Sequence, residues 1–437
     1  MKNKRFSALL LCAILLFTSN VFAQPEEASD VTLNESEFTA PSYILINLDN
    51  GEVLKENNPD KKMYPASTTK IMTAMIALGK LDLEGESTVS NNAVMSISWD
   101  SSKLGLYEGE AFNNYELIKG MMVVSGNDAA NVLAESVSGS VSDFVALMNT
   151  TAKELGCTGT NFTNAHGLTD ENHYTTASDM AKIAKKAMEN PDFREIVKTT
   201  YFELPKTDKC DTDRVFYTTN NLLTDIRTSD YLYSPAIGIK TGYTDAARNC
   251  LVAAAEKDGV RLLTVVFGAS VIDGVNRAYT DAKALMEWGF DNFKSKTVIA
   301  KGEIADERSI KHAKKSKTVK LMAKDEFTAV LSKDADESLI TKKITVNMPI
   351  IAPVTTEDEL GKMEIFYNGE LLGSVELTAD KTYEYSWWSA FIGTIGKIIG
   401  IFVLIILGAV IILIIVRQVE YEKRKKERVR NKKYRER

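Results

Sequence analysis

The chain has few of the residues that build metal centres and disulfide frameworks. Its 437 residues include only four cysteines and three histidines. No C-x-x-C pair occurs. Cys157, Cys210 and Cys250 stand at irregular spacing, which is no disulfide framework; one bridge or three packed thiols both fit them. His166, His173 and His312 are too scattered for a metal-ligand signature, so neither a metal nor an organic cofactor is implied. An overall basic excess is also missing, since the formal charge is −6. Residues 417–437 hold eleven Lys/Arg against four Asp/Glu, a net +7, which leaves −13 upstream. An acidic body argues against a nucleic-acid partner, and the basic tail reads as a membrane-side address. Apolar and charged fractions of 44% and 26% are those of a globular protein, long enough for two or three domains.

Both ends carry apolar runs. Lys2, Lys4 and Arg5 precede a short apolar core and a Val-Phe-Ala-Gln junction, the form of a signal peptide over residues 1–23. Cys12 follows Leu11 rather than a small residue, which excludes a lipoprotein reading. From Ile398 to Val416 no residue is charged. A helix of that length measures roughly 28 Å, enough to cross the hydrocarbon layer, so a transmembrane helix is expected over 394–416. Trp387 and Trp388 approach one end and Lys/Arg crowd the other, which predicts a single-pass protein with its body outside and residues 417–437 in the cytoplasm.

Between these ends the character changes once. From about residue 32 to 293, helical and strand patterns mix. "SYILINLDNGEVL" predicts a hairpin, "KIMTAMIALGKL", "NNYELIKGMMVVS" and "NDAANVLAESVSG" predict helices, and "VSDFVALMNTTAKELG" and "TASDMAKIAKKAMEN" predict two more. "GIKTGYT", "RNCLVAAAEKDG" and "VRLLTVVFGAS" predict three neighbouring antiparallel strands, and "RAYTDAKALMEWGFDNF" a helix packing back on them. The expected class is α+β, a helical cluster beside an antiparallel sheet. From 294 to 386, short alternating runs broken by Gly, Asn and Asp predict a small all-β domain with "YNGE" as a hairpin turn.

The chemistry centres on "YPASTTKIMTAM". Ser67 and Lys70 stand three positions apart, on one face of a helical turn. At a helix N-terminus, free amide hydrogens and the positive dipole end can stabilise an oxyanion on Ser67. Lys70 is a base only when neutral, which needs burial or a neighbouring cation. The bland reading is that Ser67 caps the helix. Two further motifs weigh against it. Ser125-Gly126-Asn127 enters a helix, where a second hydroxyl can relay protons and an amide can hold a substrate carbonyl. Lys240-Thr241-Gly242 sits on an expected edge strand, where a cation and a hydroxyl can fix a carboxylate and glycine lets a peptide lie close.

S-x-x-K, S-x-N and K-T-G in this order resemble the serine penicillin-recognising enzymes. "PASTTKIMTA", "SGNDAA", "NFTNAHGL", "TASDMA", "GIKTGYT" and "ALMEWGF" resemble the low-molecular-mass D-alanyl-D-alanine carboxypeptidases of peptidase family S11. The resemblance covers nearly the whole exported chain, including the small β-domain. It implies a penicillin-binding/β-lactamase-like catalytic domain over 32–293 and a small β-domain over 294–386, whose place between catalytic domain and anchor reads as a stalk, with a partner-binding module as the alternative. It implies that Ser67 is acylated by peptidoglycan stem pentapeptides and by β-lactam antibiotics, with Lys70 as its base and Ser125 as proton shuttle. It implies substrate contacts from Asn127, Lys240, Thr241 and Gly242, and an oxyanion hole from the N–H groups of Ser67 and Tyr243. His166-Gly167-Leu168 and Asp179 match positions that shape the site and read as structural. Arg248, where many relatives have glycine, reads as a surface residue, and Arg277 is a second candidate cation. The anchor departs from relatives that use an amphipathic helix. A D,D-endopeptidase acting on cross-links would use the same residues. A β-lactamase is disfavoured, because "NFTNAHGLTDENHY" offers Glu171 at the wrong spacing. A non-catalytic envelope sensor is the remaining alternative, set against intact motifs.

Overall fold

A computed structural model describes residues 33–435; the expected leader over 1–23 lies outside the described residues. The hairpin appears where alternation and Asp49-Asn50-Gly51 place it, pairing Ser42–Asn47 with Val53–Asn57. Gly51 turns the chain at φ 84°, a conformation that costs glycine nothing. The hairpin joins the three expected strands, Ala236–Thr244, Arg248–Lys257 and Val260–Ala269, in one antiparallel sheet. The order across it is Val53–Asn57, Ser42–Asn47, Val260–Ala269, Arg248–Lys257 and Ala236–Thr244. The strand carrying Lys240, Thr241 and Gly242 is therefore an edge strand.

Both faces of this sheet are covered, and side-chain alternation divides the core accordingly. Ile44, Ile46, Leu263, Val265 and Phe267 face the helical cluster, with Met72, Met121, Leu133 and Met180. Tyr43, Leu45, Leu262 and Val266 face the opposite way, against Ala282, Leu285 and Met286 of the helix Arg277–Asn292. Burying each such Leu, Ile or Val side chain contributes about 1.5–3 kcal/mol, so both layers are held by ordinary hydrophobic packing.

The helical cluster starts at residues that accept orphan amide hydrogens. Asn113 caps Asn114–Val124 through Tyr115 and Glu116, Ser140 caps Val141–Glu154, and Thr176 caps Ala177–Met188 through Asp179. Lys70–Lys80 and Asn127–Ser138 complete the expected set. Several elements were not expected, among them the short helix Asn91–Met95, the paired strands Glu86–Thr88 and Ala111–Asn113, and two that lie between residues 191 and 217. Pro191–Lys198 is a helix with Asn190 as its cap and proline in its first turn, a start signal present in the sequence. A hairpin of Tyr201–Leu204 with Arg214–Tyr217 follows it.

Beyond Asn292 the chain builds strands. Six of them form one sheet around Val319, Leu321, Met363, Ile365 and Leu377, and Phe293–Ile299 pairs with Phe327–Ser332. Asn368 and Gly369 both take positive φ, 48° and 86°, which is the two-residue turn that "YNGE" signals. The chain ends in one continuous helix, Trp387–Arg435, which joins the apolar run and the basic tail.

Candidate active site

Ser67 lies in the 3-10 turn Ala66–Thr69 that leads directly into the helix Lys70–Lys80. Pro65 fixes its start, and Pro65 O accepts from Thr68 N (3.2 Å) and Thr68 Oγ1 (2.7 Å). Ala66 takes φ 47° and Ser125 φ 69°, the left-handed region that costs an ordinary side chain of order 1–3 kcal/mol. Both strained residues flank the candidate chemistry.

Glycines let two segments press against this turn. A Cβ on Gly167 would lie 1.8 Å from Ala66 O, and Gly167 needs φ 89° besides. A Cβ on Gly242 would lie 3.0 Å from Ser67 N and 3.1 Å from Pro65 O. Gly242 thus has a reason other than the one expected from sequence: it lets the edge strand approach the nucleophile's own turn.

Lys70 is fully buried, and its Nζ donates to Ser67 Oγ (3.0 Å), Asn127 Oδ1 (2.6 Å) and His166 O (2.8 Å). Burial, and then the neighbouring Lys240 ammonium, hold its pKa well below the usual lysine range, while Asp128 opposes them. Lys240 is also fully buried; desolvation lowers its pKa to about 7, and its Nζ donates to Thr241 O (3.1 Å). Ser125 is buried, and its Oγ has no hydrogen-bond partner among the described residues. A buried hydroxyl without a partner is costly unless a ligand supplies one.

These groups border an open cleft of about 600 Å³. Ser67, Ser125, Asn127, Thr241, Gly242 and Tyr243 all line it, so six of the eight expected site residues share one surface. Lys70 and Lys240 stand behind that surface, where they set its potential. Thr241 Oγ1 lies 2.8 Å from Thr219 Oγ1, giving the cleft a pair of hydroxyls. Tyr243 is 61% exposed at its lip, with its hydroxyl donating to Asp245 (3.0 Å). Glu171 is exposed and outside the lining, so the cleft has no carboxylate from that loop.

The supporting residues are well defined. His166 offers its carbonyl to Lys70, while burial lowers its ring pKa to about 3. Asp179 accepts from Gly159 N (2.7 Å) and Thr160 Oγ1 (2.8 Å), so both read as structural, as expected. Arg248 is exposed and donates to Ser270 Oγ (3.3 Å), and Arg277 N donates to Ser270 O (3.0 Å). Neither lines the cleft. Cys157, Cys210 and Cys250 are free thiols, and burial raises Cys157 and Cys250 to about 12.

Sequence reasoning missed two residues. Asp128 receives the N–H groups of Leu104 (2.9 Å), Gly105 (2.9 Å) and Leu106 (3.1 Å), tying a distant loop beside Asn127. Arg227 is the one cation among the described residues lining the cleft. Asp128 stood next to a motif, but Arg227 lies in an irregular loop with no pattern around it.

The arrangement is that of an acyl-transfer site: a hydroxyl nucleophile, a buried amine of lowered basicity, and an unpartnered second hydroxyl. The chain matches the family model described as D-alanyl-D-alanine carboxypeptidase over residues 29–271. Residues 293–385 match the model for the C-terminal domain of penicillin-binding protein 5. It is 32% identical to the D-alanyl-D-alanine carboxypeptidase DacF of Bacillus subtilis (strain 168), over 89% of this chain and 97% of that one. DacA of Haemophilus influenzae is 31% identical, with 82% and 88% covered. Among solved structures, penicillin binding protein 5 from Haemophilus influenzae superposes with a TM-score of 0.60 at 30% identity, covering 80% of this chain and 98% of that one. The Streptomyces K15 DD-transpeptidase gives 0.53 at 31% identity, covering 58% and 97%. Motif order, fold and family models agree, and the chain belongs to the D-alanyl-D-alanine carboxypeptidase family of serine peptidases.

Proposed function

We propose that the protein removes the terminal D-alanine from peptidoglycan stem pentapeptides through an acyl-enzyme on Ser67, and that β-lactams acylate the same hydroxyl. The observation that carries this is the fully buried Lys70, 3.0 Å from Ser67 Oγ and depressed in pKa. A neutral Lys70 takes the Ser67 proton as Oγ attacks the penultimate carbonyl. The N–H groups of Ser67 and Tyr243 receive the oxyanion. The C–N bond then breaks, and the departing D-alanine amine takes its proton through Ser125. Water reverses these steps, freeing the shortened peptide and Ser67.

Binding follows from the edge strand. An extended peptide adds to Ala236–Thr244 by main-chain hydrogen bonds, with Asn127 holding a peptide carbonyl. Thr241 donates to the terminal carboxylate. Lys240 acts from behind through its charge, and Arg227, in the lining of the same cleft, adds a second cation for the anion. The helix Trp387–Arg435 anchors the enzyme in the bacterial cell membrane, with the catalytic domain outside and the tail in the cytoplasm; the β-domain is the stalk between them.

The test is D-alanine release from a D-Ala–D-Ala-terminated pentapeptide. Release is expected from the wild type and absent from Ser67→Ala. No release from wild-type protein that still binds penicillin covalently would overturn the carboxypeptidase reading.

A further inference from the structure

We propose that the turn joining strands Ile304–Lys311 and Thr318–Ala323 is a docking surface for anionic phospholipid headgroups, and that it seats the enzyme's body against the outer leaflet. This rests on the reading above that the C-terminal helix enters the membrane from the body's side. The turn reads Lys311-His312-Ala313-Lys314-Lys315-Ser316-Lys317, and no acidic residue occurs from 309 to 319. Its four lysines are exposed. Lys314 pairs with Glu384 (3.0 Å), and among the described residues Lys311, Lys315 and Lys317 have no ion pair. Elsewhere in the same domain Lys296, Lys324, Lys342 and Lys343 pair with Glu337, Glu376, Glu303 and Glu364. Lys320, Lys333, Lys362 and Lys381 also have no ion pair among the described residues, but they stand singly, whereas three unpaired lysines fall within the seven residues of this turn.

The turn is also fastened to the place where the helix leaves the body. Ser386 N donates to His312 O (2.6 Å), and Lys314 N donates to Glu384 O (3.0 Å). The rings of His312 and Tyr385 lie 5.8 Å apart, and those of Tyr385 and Trp387 5.0 Å. Trp387, Trp388 and Phe391 open the helix at 81%, 76% and 58% exposure, so the end of the helix beside the turn presents aromatic rings on the approach to the membrane.

Height decides whether the charges reach. Eleven residues separate Trp387 from Ile398, where the uncharged run begins, and they rise roughly 16 Å. The headgroup zone takes about 5–7 Å of that on each side of the hydrocarbon. The turn then stands about 10 Å above the headgroups on an upright helix, near one Debye length at physiological salt. Extended lysine side chains cover much of that gap, and a modest helix tilt closes it. At this height a negative leaflet attracts the turn, whereas a neutral one does not.

The test uses the full chain in nanodiscs of phosphatidylcholine alone or of phosphatidylcholine with phosphatidylglycerol. Amide hydrogen exchange over 311–317 is expected to slow severalfold with phosphatidylglycerol, and high salt is expected to abolish the effect. Lys314→Glu/Lys315→Glu/Lys317→Glu is expected to lose the protection while keeping covalent penicillin binding. Lys80→Glu/Lys153→Glu, on the catalytic domain's helices, is expected to keep it. Equal exchange in both nanodiscs would overturn the proposal. Protection by soluble poly(glycerol phosphate) on neutral nanodiscs would move the site to a wall polyanion and overturn the lipid assignment. Failure of the chain to enter nanodiscs at all would overturn the membrane reading, and this proposal with it.

Discussion

At the scale of single residues, Lys70 depends on groups that a linear reading cannot bring together. S-x-x-K was legible because Ser67 and Lys70 are three residues apart, but the lysine's basicity is set by its burial and then by Lys240, with Asp128 opposing, and its position by His166 O and Asn127 Oδ1. Below about pH 7 Lys240 is charged and lowers Lys70 further by repulsion. Lys240→Met removes that cation, so the pKa of Lys70 rises and the acidic limb of the acylation rate is expected to move to higher pH. A stopped-flow pH profile with a chromogenic β-lactam reads this directly. Lys240 also affects stability, with a definite sign. Between about 7 and its ordinary 10.5 the unfolded chain binds a proton that the folded chain lacks. Its contribution to stability therefore rises with pH across that window. Denaturant titrations at several pH values should show a shallower rise in Lys240→Met. Arg227 makes a simpler case. It is exposed at the cleft, so Arg227→Ala is expected to raise KM for an anionic pentapeptide severalfold and leave kcat near its starting value, consistent with a solvent-screened contact.

At the scale of elements, periodicity and turn chemistry carried most of the fold. The five helices read between residues 70 and 188 are present because their apolar positions repeat over enough turns to reveal a buried face, and the three strands of 236–269 are present because turn residues bound apolar runs that the covered sheet buries almost throughout. Pro191–Lys198 and the following hairpin were not read. The helix is only eight residues long, and "TDKCDTD" interrupts the strands with polar residues. Close approaches were hidden for a different reason: a glycine's need for space depends on what lies opposite. Nothing in "AHGL" reveals that Gly167 rests on Ala66 O, 101 positions away in sequence. Gly167→Ala combines a left-handed φ with a backbone clash. It is expected to destabilise the protein by about 2–4 kcal/mol and to slow acylation by displacing the Ser67 turn. Thermal unfolding and penicillin acylation rates, measured together, check both parts. Unchanged acylation in a folded variant would show that the turn does not need this contact.

At the scale of the whole molecule, composition forecast an acidic body, a β-domain and an apolar segment with a basic end, and the chain builds all three in that order. The sequence did not show that the apolar run and tail form one unbroken helix, or that its first residues are tied to the β-domain. The active site is built within the α+β part, so cutting the chain after Ser386 is expected to leave penicillin acylation within about twofold of wild type. The same cut should move the protein from the membrane fraction to the soluble one; fractionation with fluorescent penicillin reads both. The account's central claim is covalent chemistry at Ser67. The most direct measurement is mass spectrometry of the full chain, quenched during turnover of a D-Ala–D-Ala pentapeptide and digested to peptides. An adduct with the mass of the peptide lacking its last D-alanine is expected on the fragment containing Ser67, and is expected to be missing from Ser67→Ala. An adduct on any other residue, or D-alanine release that persists in Ser67→Ala, would contradict it.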